Sequence, residues 1–270
     1  MAVHFKKLGA SRSYRYECRE FLCDGLKLLE DASNSDFVVS AVVTAIPIPF
    51  PLSVDTLVYH VDSALIESLS PLKNAQGLLF ACKMRGQDSG VRGQETGDAA
   101  APQEIPVNGG VHILLDNVQD PGNVGTIIRT ANAFDVRTVL LYGACADAFN
   151  PKTIRASMGA IFRQNICKMD LEKLSGIRDD GIRFIGAAPS GDGRAVFDVD
   201  FENSIVVIGS EGSGLSPEIE SLCSEKTTIP IAAGCESLNA AVAAAIIMWE
   251  AKARRSRVEK GLDCLRSGSQ

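Results

Sequence analysis

A polar, glycine-rich segment divides this 270-residue chain into two parts of different composition. Residues 84–110 read MRGQDSGVRGQETGDAAAPQEIPVNGG and contain almost no large apolar side chains. Such a segment cannot bury enough surface to offset the entropy that is lost when it becomes ordered. The sequence therefore predicts a small domain over residues 1–85, a flexible linker over residues 86–110 and a larger domain over residues 111–270.

The part before the linker has the patterns of a small α/β unit. Helices are predicted over Tyr14–Ala32 and Asp62–Leu69, and strands over Phe37–Val43, Thr56–Val61 and Gly77–Lys83. This unit is too small to carry much chemistry, and its sequence shows no catalytic arrangement of side chains.

The part after the linker alternates short apolar strands with helical patterns. The predicted elements are strands over Val111–Leu115, Thr138–Tyr142, Arg183–Ala187, Ser204–Ile208 and Thr227–Ile231, and a closing helix over Leu238–Arg255. Strands of this kind indicate an α/β fold with a parallel sheet that helices cover on both faces. Ligands bind at the carboxyl ends of such strands, so the loops that follow them are the candidate sites.

Composition is that of a soluble globular protein. Hydrophobic residues make up 46% and charged residues 22% of the chain, and no apolar run reaches the length of a membrane span. The N-terminal residues lack the apolar core of a secretory signal, so a cytoplasmic location is expected. The eight cysteines and three histidines show no zinc-binding spacing. We therefore expect reduced thiols and no bound metal.

Basic residues cluster near both ends of a chain whose net charge is −6. Residues 1–19 contain one acid against five cations, which are Lys6, Lys7, Arg12, Arg15 and Arg19. Residues 251–266 contain six cations against two acids. Nucleic acids bind such patches whatever the net charge, but a solvated helix face has the same composition. On charge alone, both interpretations stay open.

The loop after the first strand of the larger domain lies within LDNVQDPGNVGTIIRTANAF, residues 115–134. Its spacing, Gly122-x-x-Gly125, is neither the dinucleotide fingerprint nor a P-loop. Apolar residues at helical spacing from Val124 predict a buried face, and the glycines and Arg129 lie on another face. Arg129 would lean back over an open glycine surface toward an anion. The alternative is an ordinary surface arginine.

A second loop, within IVVIGSEGSGLSP at residues 205–217, places three glycines around Glu211 directly after a β-branched strand. Glycines let a ligand approach the backbone closely. No Gly-Lys-Ser/Thr sequence follows, which excludes a P-loop. The carboxylate suits a ligand with hydroxyl groups or positive charge, and a turn made only for tightness is the alternative.

A third loop lies within TIPIAAGCESLNAAVAAAIIMWEAKARR, residues 228–255. A helix is expected to begin near Ser237 or Leu238, with Ser237 as its N-cap. Asn239 would then lie in the first turn, where asparagine is a mediocre helix former, and this favours a functional role for it. The helix is nearly all alanine over Ala240–Ala245, so it is slender enough to pack closely against another backbone.

The three loops resemble the motifs of the SpoU (TrmH-like) family of RNA 2′-O-ribose methyltransferases, within the SPOUT superfamily. The first motif is Asn123-x-Gly125-x-x-x-Arg129 followed by Thr130-Ala131. The second is Ile208-Gly209-Ser210-Glu211-Gly212 with Gly214 and Leu215, and the third is Ile229-Pro230-Ile231 followed by Ser237-Leu238-Asn239. Their order and spacing match across residues 111–255. The first domain is similar, more loosely, to the family's substrate-binding domain around FLCDGLKLLEDA.

The resemblance implies a parallel α/β sheet whose C-terminal part forms a trefoil knot, preceded by a small α/β RNA-binding domain. It also implies a homodimer that acts on RNA, with no membrane and no metal, and with S-adenosylmethionine as the cofactor. The pocket for the cofactor would be lined by Gly209, Ile229, Leu238, Ala188, Ile208 and Pro230.

The same resemblance assigns catalytic roles. Arg129 would bind the phosphate of the target nucleotide and stabilise negative charge on the attacking oxygen, because a guanidinium is always protonated and cannot act as a simple base. Asn123 and Glu211 would orient Arg129 and the ribose, and Ser237 and Asn239 would hold the target nucleotide. The glycines would clear space beside the cofactor, and the basic stretch Lys6–Arg19 would contact RNA.

Two other classes fit the sequence less well. A non-catalytic RNA-binding factor for ribosome assembly would have no need of Asn123, Arg129, Glu211 and Asn239 together. A nicotinamide-dependent oxidoreductase would need G-x-G-x-x-G after a strand, and the chain has no such sequence. The separate first domain and the long linker favour large-subunit ribosomal RNA over transfer RNA as the substrate, and both stay open.

Overall fold

The computed structural model describes residues 1–85, 110–189 and 191–267, with side chains described as far as residue 257. The predicted linker therefore lies, apart from Gly110, outside the described residues. The helices are α1 Ala2–Ala10, α2 Arg12–Cys18, α3 Leu26–Ser33, α4 Ser63–Leu69, α5 Pro121–Ala133, α6 Pro151–Ser157, α7 Leu171–Asp179, α8 Pro217–Glu220 and α9 Ala240–Ser267. The strands are β1 Glu20–Asp24, β2 Val39–Thr44, β3 Leu57–His60, β4 Leu78–Lys83, β5 Val111–Asp116, β6 Thr138–Tyr142, β7 Asn165–Met169, β8 Arg183–Ala188, β9 Arg194–Ala195, β10 Ser204–Ile208 and β11 Glu225–Thr228.

The described residues divide into two compact units. The first unit is composed of the described residues of Met1–Ala101, Pro121–Arg129 and Ala146–Arg163. The second unit is composed of the described residues of Pro102–Asp120, Thr130–Cys145 and Gln164–Gln270. The front of α5 and the whole of α6 therefore belong to the first unit.

A four-stranded mixed sheet forms the centre of the first unit, in the order β1-β4-β2-β3. β4 pairs antiparallel with β1 and with β2, and β3 adds to the edge of β2 in parallel. The helices α1 and α4 bury Phe5 and Ile66 in a core with the strands. Phe21 of β1 packs against Phe149, just before α6, with the ring centroids 4.7 Å apart. This contact attaches α6 to the sheet of the first unit.

Among the described residues, seven strands form the sheet of the second unit, in the order β7-β6-β5-β10-β8-β11-β9. Every strand pair in it is parallel. The central strand β10 buries all of its residues, as expected for a sheet that helices cover on both faces. The predicted α/β fold with a parallel sheet is confirmed.

The prediction of one helix over Tyr14–Ala32 is wrong. The helix α2 ends at Cys18, β1 follows, and α3 begins only at Leu26. Arg19 and Gly25 interrupt the helical backbone on either side of β1, because both have positive φ angles, of 53° and 111°. The apolar residues between them pair with β4 at the edge of the sheet.

The second unit differs from the sequence prediction mainly at the edges of its sheet. The strand predicted over Thr227–Ile231 is β11, which ends earlier, at Thr228. The outer strands β7 and β9 were not predicted. β7 has only one buried residue, Met169, and β9 contains only two residues. Strands of this kind lack the apolar pattern that identifies their central neighbours.

A buried histidine in β5 makes the stability of the second unit depend on pH. His112 is 1% exposed and its Nδ1 has no hydrogen-bond partner among the described residues. Burial, assisted by the charge of Arg137, lowers the pKa of His112 to about 4. The unfolded chain takes up a proton near pH 6.5, before the folded protein does. The contribution of His112 is therefore fully present above about pH 6.5 and is lost as the pH falls toward 4.

We expect wild-type protein to lose about 3 kcal/mol more unfolding free energy than His112→Leu between pH 7 and pH 4. Urea unfolding at pH 7, 5.5 and 4 measures the difference. The control His60→Gln removes an exposed imidazole of the first unit and is expected to keep the wild-type pH dependence. Parallel curves for wild type and His112→Leu would show that His112 titrates equally in the folded and unfolded states.

Candidate active site

Three adjacent strands of the second unit bring most of the predicted cofactor residues to one edge of the sheet. β8 lies between β10 and β11, and all three strands are parallel. β8 and β10 end at Ala188 and Ile208, and the end of β11 pairs with Ala188. Gly209 and the pair Ile229–Pro230 directly follow β10 and β11. Residues from three distant segments of sequence thus share one edge, and their role in binding a cofactor stays a prediction.

Gly209 leaves β10 at a position that has no room for a side chain. A methyl group added to it would lie 2.4 Å from the carbonyl carbon and oxygen of Gly214, and 2.8 Å from the nitrogen of Leu215. The loop folds back on itself because Ser210 and Gly214 exchange two backbone hydrogen bonds, of 3.1 and 3.0 Å. Glu211 is exposed within this closed turn. The close packing of this turn is therefore one reason for glycine at position 209.

A buried carboxylate that the sequence analysis missed, Asp116, joins this turn to the loop after β5. Asp116 is 0% exposed. Its Oδ2 accepts a hydrogen bond from the nitrogen of Ser216 at 2.6 Å, and its Oδ1 accepts one from Nδ2 of Asn117 at 2.8 Å. Charged acceptors make the stronger hydrogen bonds, so Asp116 fixes both loops. The signal in the sequence was an acid at the end of a wholly buried strand.

The two loops that Asp116 joins form the walls of an open pocket of about 310 Å³, called the polar pocket below. Its lining residues are Asn117, Gln119, Ser210, Glu211, Gly212 and Ser213. Each of them is polar or glycine. The pocket is therefore suited to a ligand that makes hydrogen bonds rather than to an apolar one.

The helix α5 carries two predicted catalytic residues, Asn123 and Arg129, within the first unit. The helix begins at Pro121, so the glycines of the first motif lie in a helix and not in a loop. Arg129 is exposed, and its guanidinium makes no hydrogen bond or ion pair with the described residues. A cation with no partner among the described residues can bind an anionic ligand without first breaking an ion pair there.

Gly125 makes room for α6 and not for a cofactor. It is buried, and a methyl group added to it would lie 2.4 Å from the carbonyl oxygen of Thr153 and 2.6 Å from Cβ of Ala156. The prediction that this glycine leaves an open surface beside the cofactor is therefore wrong. Gly125 instead lets the backbones of α5 and α6 approach each other within the first unit.

Asn239, and not Ser237, caps the helix α9. Oδ1 of Asn239 accepts hydrogen bonds from the nitrogens of Ala241 (3.0 Å) and Val242 (3.3 Å). The prediction of Ser237 as the N-cap is wrong, since Ser237 and Leu238 both precede the helix. Asn239 thus has a structural reason to be present. The predicted contacts of Ser237 and Asn239 with a nucleotide, and of Leu238 with a cofactor, stay predictions.

Arg15 belongs to the core of the first unit and is wrong as a predicted RNA contact. Its side chain is 3% exposed, and its Nη2 lies 2.6 Å from Oδ2 of Asp147. Its Nη1 donates a hydrogen bond to the carbonyl oxygen of Leu8 at 2.8 Å. Burial, together with the charge of Asp147, raises the pKa of Tyr16 to about 12, and the Tyr16 hydroxyl donates to Asp147 at 3.0 Å. A guanidinium committed in this way is not available to phosphate.

The other four predicted RNA-binding residues are exposed. Lys6 and Lys7 lie on α1, Arg12 lies on α2, and Arg19 follows it. Nζ of Lys7 lies 5.1 Å from the centre of the Tyr14 ring, within the range of a cation–π contact. Their contact with RNA stays a prediction.

The thiol of Cys223 and the placement of possible metal ligands concern two further kinds of chemistry. Burial, with the nearby charge of Glu220, raises the pKa of Cys223 to about 11, so this thiol stays protonated. Within residues 1–85, 110–189 and 191–257, no group of three histidine, cysteine or acidic side chains is placed to hold a metal ion. No helix among the described residues is long and apolar enough to cross a bilayer.

Comparison with known proteins identifies a family and several relatives. The model of the SpoU rRNA Methylase family matches residues 110–249. The Bacillus subtilis 23S rRNA (guanosine(2553)-2′-O)-methyltransferase RlmP is 27% identical over 248 residues, which cover 91% of this chain and 93% of that protein. A Streptomyces viridochromogenes 23S rRNA (uridine(2479)-2′-O)-methyltransferase is 35% identical over 151 residues, covering 53% of this chain and 52% of that protein.

A solved structure extends the likeness to nearly the full length. The SpoU methyltransferase AviRb from Streptomyces viridochromogenes, crystallised in complex with the cofactor AdoMet, superposes with a TM-score of 0.79 at 26% identity. The superposition covers 94% of this chain and 97% of that one.

Proposed function

The chain belongs to the SpoU rRNA methylase family, and we propose that it methylates a ribose 2′-hydroxyl of large-subunit ribosomal RNA. As a member of that family it is an RNA methyltransferase that uses S-adenosylmethionine. The observation that carries the proposal is the edge at β10, β8 and β11, where the second and third motifs follow strands of the same parallel sheet. Both relatives described above are named as 23S rRNA methyltransferases, which favours ribosomal RNA over transfer RNA.

The residues at the sheet edge fit S-adenosylmethionine. Ala188 and Gly209 are small and only half-buried, so they leave backbone N–H and C=O groups accessible to the adenosine part of the cofactor. We assign the pocket to Ala188, Ile208, Gly209, Ile229, Pro230 and Leu238. When bound, the cofactor would supply a methyl group whose carbon is the electrophile, with the positively charged sulfur as the leaving group.

Arg129 is the residue that we propose to act on the ribose. The 2′-hydroxyl loses its proton as it attacks the methyl group, so negative charge develops on its oxygen. Arg129 binds the phosphate of the target nucleotide and stabilises that charge, because its guanidinium stays protonated. Asn123 and Glu211 orient Arg129 and the ribose, while Ser237 and Asn239 hold the nucleotide.

The exposed cations Lys6, Lys7, Arg12 and Arg19 are proposed to bind the phosphates of the RNA. The net charge of −6 opposes binding elsewhere on the surface, so binding depends on this patch and weakens as salt is added. A ribosomal RNA substrate would place the enzyme in the cytoplasm.

The proposal is tested by measuring the transfer of labelled methyl groups from S-adenosylmethionine. Unmodified 23S ribosomal RNA and total transfer RNA are offered separately as substrates. We expect label in ribosomal RNA that resists alkali at a single dinucleotide, because a 2′-O-methyl group blocks cleavage of the next phosphodiester bond. Label only in transfer RNA would replace the proposed substrate. A third outcome is that neither RNA nor assembled ribosomal particles take up label and that the protein does not bind the cofactor. That outcome would indicate a non-catalytic RNA-binding protein.

The proposal includes two further features of the family, a trefoil knot in the C-terminal part and a homodimer. One exposed face of α9 supports the homodimer. Val242 and Trp249 are 47% and 53% exposed, and they share a helix face with the half-buried Ala245 and Ile246. Exposed apolar stripes of this kind mark protein contacts. A second copy of the same stripe is its proposed partner, because a twofold interface is self-complementary.

Replacing Trp249 by glutamate is expected to weaken the homodimer by about 30-fold or more, since exposed tryptophans are frequent interface hot spots and a buried carboxylate is costly. Sedimentation velocity over a range of concentrations measures the change. The control Leu171→Glu replaces an exposed apolar residue of α7 and is expected to keep the wild-type association. A dimer of unchanged affinity in Trp249→Glu would exclude this face of α9.

A further inference from the structure

The polar pocket has walls that are held in place from within the second unit. Both polar atoms of the Asn117 amide are engaged, since Oδ1 accepts a hydrogen bond from the nitrogen of Ala144 at 2.8 Å and Nδ2 donates to Asp116 at 2.8 Å. Asn117 itself has a left-handed backbone, with φ of 56°. These contacts preserve the shape of the wall after β5 and commit both polar atoms of the Asn117 amide to the fold.

The opposite wall is engaged in a similar way. The hydroxyls of Ser210 and Ser213 lie 2.8 Å apart and bond to each other, and the nitrogen of Ser213 also donates to the Ser210 hydroxyl at 3.3 Å. Gly212 has no side chain. Among the residues that line this wall, Glu211 is the charged one, and its side chain is not free of contacts within the protein.

Gln119 differs from the other lining residues that carry side chains. It is exposed, and its amide makes no hydrogen bond with the described residues. It lies three residues after Asp116, which anchors the wall, and two residues before the first residue of α5. Gln119 therefore lies close in sequence to an anchored residue, and its amide has no partner among the described residues.

The chemistry of the lining identifies the class of ligand. The carboxylate of Glu211 repels phosphate, so the phosphate-binding function belongs to the cations described above and not to this pocket. A glutamine amide offers two donor hydrogens and one acceptor oxygen, which match the hydrogen-bonding edge of a nucleobase. A volume of about 310 Å³ lies at the small end of ligand pockets, which suits a single base.

We propose that the polar pocket receives the base of the target nucleotide and that Gln119 reads the hydrogen-bonding edge of that base. The proposal rests on the proposed function, because it assigns the base whose ribose is methylated. It makes Gln119 a specificity-determining residue that acts through substrate contact, distinct from the residues assigned to the cofactor and to charge stabilisation.

The test begins with the nucleotide that wild-type enzyme methylates in unmodified 23S ribosomal RNA. Four transcripts of the surrounding fragment are made, which differ only in the base at that position. The value of kcat/KM is measured on each for wild type, Gln119→Leu, Gln119→Glu and the control Glu172→Gln, which changes an exposed acid on α7. Calorimetry of S-adenosylmethionine binding and thermal unfolding are recorded for every variant.

We expect wild type to prefer one base by about 10-fold or more, since a good amide–base pair discriminates by roughly 5- to 150-fold. Gln119→Leu is expected to lower kcat/KM on that base by about 10- to 100-fold and to reduce it on the other bases by less than about threefold. Gln119→Glu, which only accepts hydrogen bonds, is expected to shift preference toward bases with an exocyclic amino group. Cofactor affinity stays at the wild-type value, and Glu172→Gln behaves as wild type.

Equal losses on all four bases in Gln119→Leu, or no loss, would overturn the assignment of the pocket while leaving the proposed function intact. A wild-type enzyme that methylates no RNA would overturn the proposed function, and the pocket assignment with it. The two failures are therefore distinguishable within one set of measurements.

Discussion

Replacing Arg129 by lysine is expected to lower kcat by about 10²- to 10³-fold while S-adenosylmethionine affinity stays within about twofold of wild type. The guanidinium binds a phosphate through two parallel N–H groups, which an ammonium group cannot do, so lysine keeps the charge but loses the geometry. Arg129 is exposed on α5 and unpaired among the described residues. Its replacement therefore removes no internal contact that the folded protein depends on.

Single-turnover methyl transfer is measured at saturating RNA and cofactor, so that a lower rate constant reports on the chemical step and not on binding. The matched control is Arg178→Lys, an exposed arginine on α7 that pairs with Asp179 at 3.2 Å, and it is expected to retain wild-type turnover. If Arg129→Lys also retained wild-type turnover, Arg129 would not stabilise the transition state. A loss that appeared only in KM for RNA would limit its role to phosphate binding.

The central strands of the second unit are predictable from sequence because burial on both faces demands a continuous apolar run. The strands predicted over Thr138–Tyr142 and Ser204–Ile208 coincide with β6 and β10. Edge strands such as β7 face solvent and need no such run. The prediction of one helix over Tyr14–Ala32 was wrong for another reason. The break in that segment depends on the backbone angles at Arg19 and Gly25, and a helical apolar pattern does not report them.

The predictions about the site were also right where a local sequence pattern was enough and wrong where a role depends on tertiary contact. The alternation of strand and helix patterns predicted which loops lie at the carboxyl ends of strands, and the parallel order of β10, β8 and β11 brings those ends together. The roles of Gly125 and Arg15 depend on partners that are distant in sequence, namely Thr153 and Asp147. The sequence of a charge cluster does not show whether each of its members is exposed or buried. Arg15 was therefore wrongly predicted to contact RNA.

Asp116 and Asn239 are two polar residues whose structural roles were not predicted, the first because its contact is distant in sequence and the second because the helix boundary was misplaced. Asp116 is buried and bonds to the backbone of Ser216, one hundred residues later. Asn239 satisfies the first N–H groups of α9, although its sequence position predicted the first turn. A boundary error of two residues was enough to hide the capping role of Asn239.

The second large effect is expected at Gly209. Replacing it by alanine should weaken S-adenosylmethionine binding by about 5- to 150-fold, the equivalent of the roughly 1–3 kcal/mol that overpacking typically costs. The added methyl group would lie 2.4 Å from the backbone of Gly214, and backbone atoms cannot rotate away as a side chain can. The turn must therefore open, and the hydrogen bonds between Ser210 and Gly214 are lost together with the cofactor-binding edge.

Gly212→Ala is the matched control, because it adds the same methyl group to the same turn. Nothing lies within 4 Å of that added group and the φ angle of Gly212 is not positive, so we expect cofactor affinity within about twofold of wild type and an unchanged melting temperature. Isothermal titration calorimetry on both variants separates the two positions. Wild-type affinity in Gly209→Ala would contradict the cofactor site at this edge. Equal losses in both variants would show that the turn contacts the cofactor through Gly212, and that steric closure at Gly209 is not the cause.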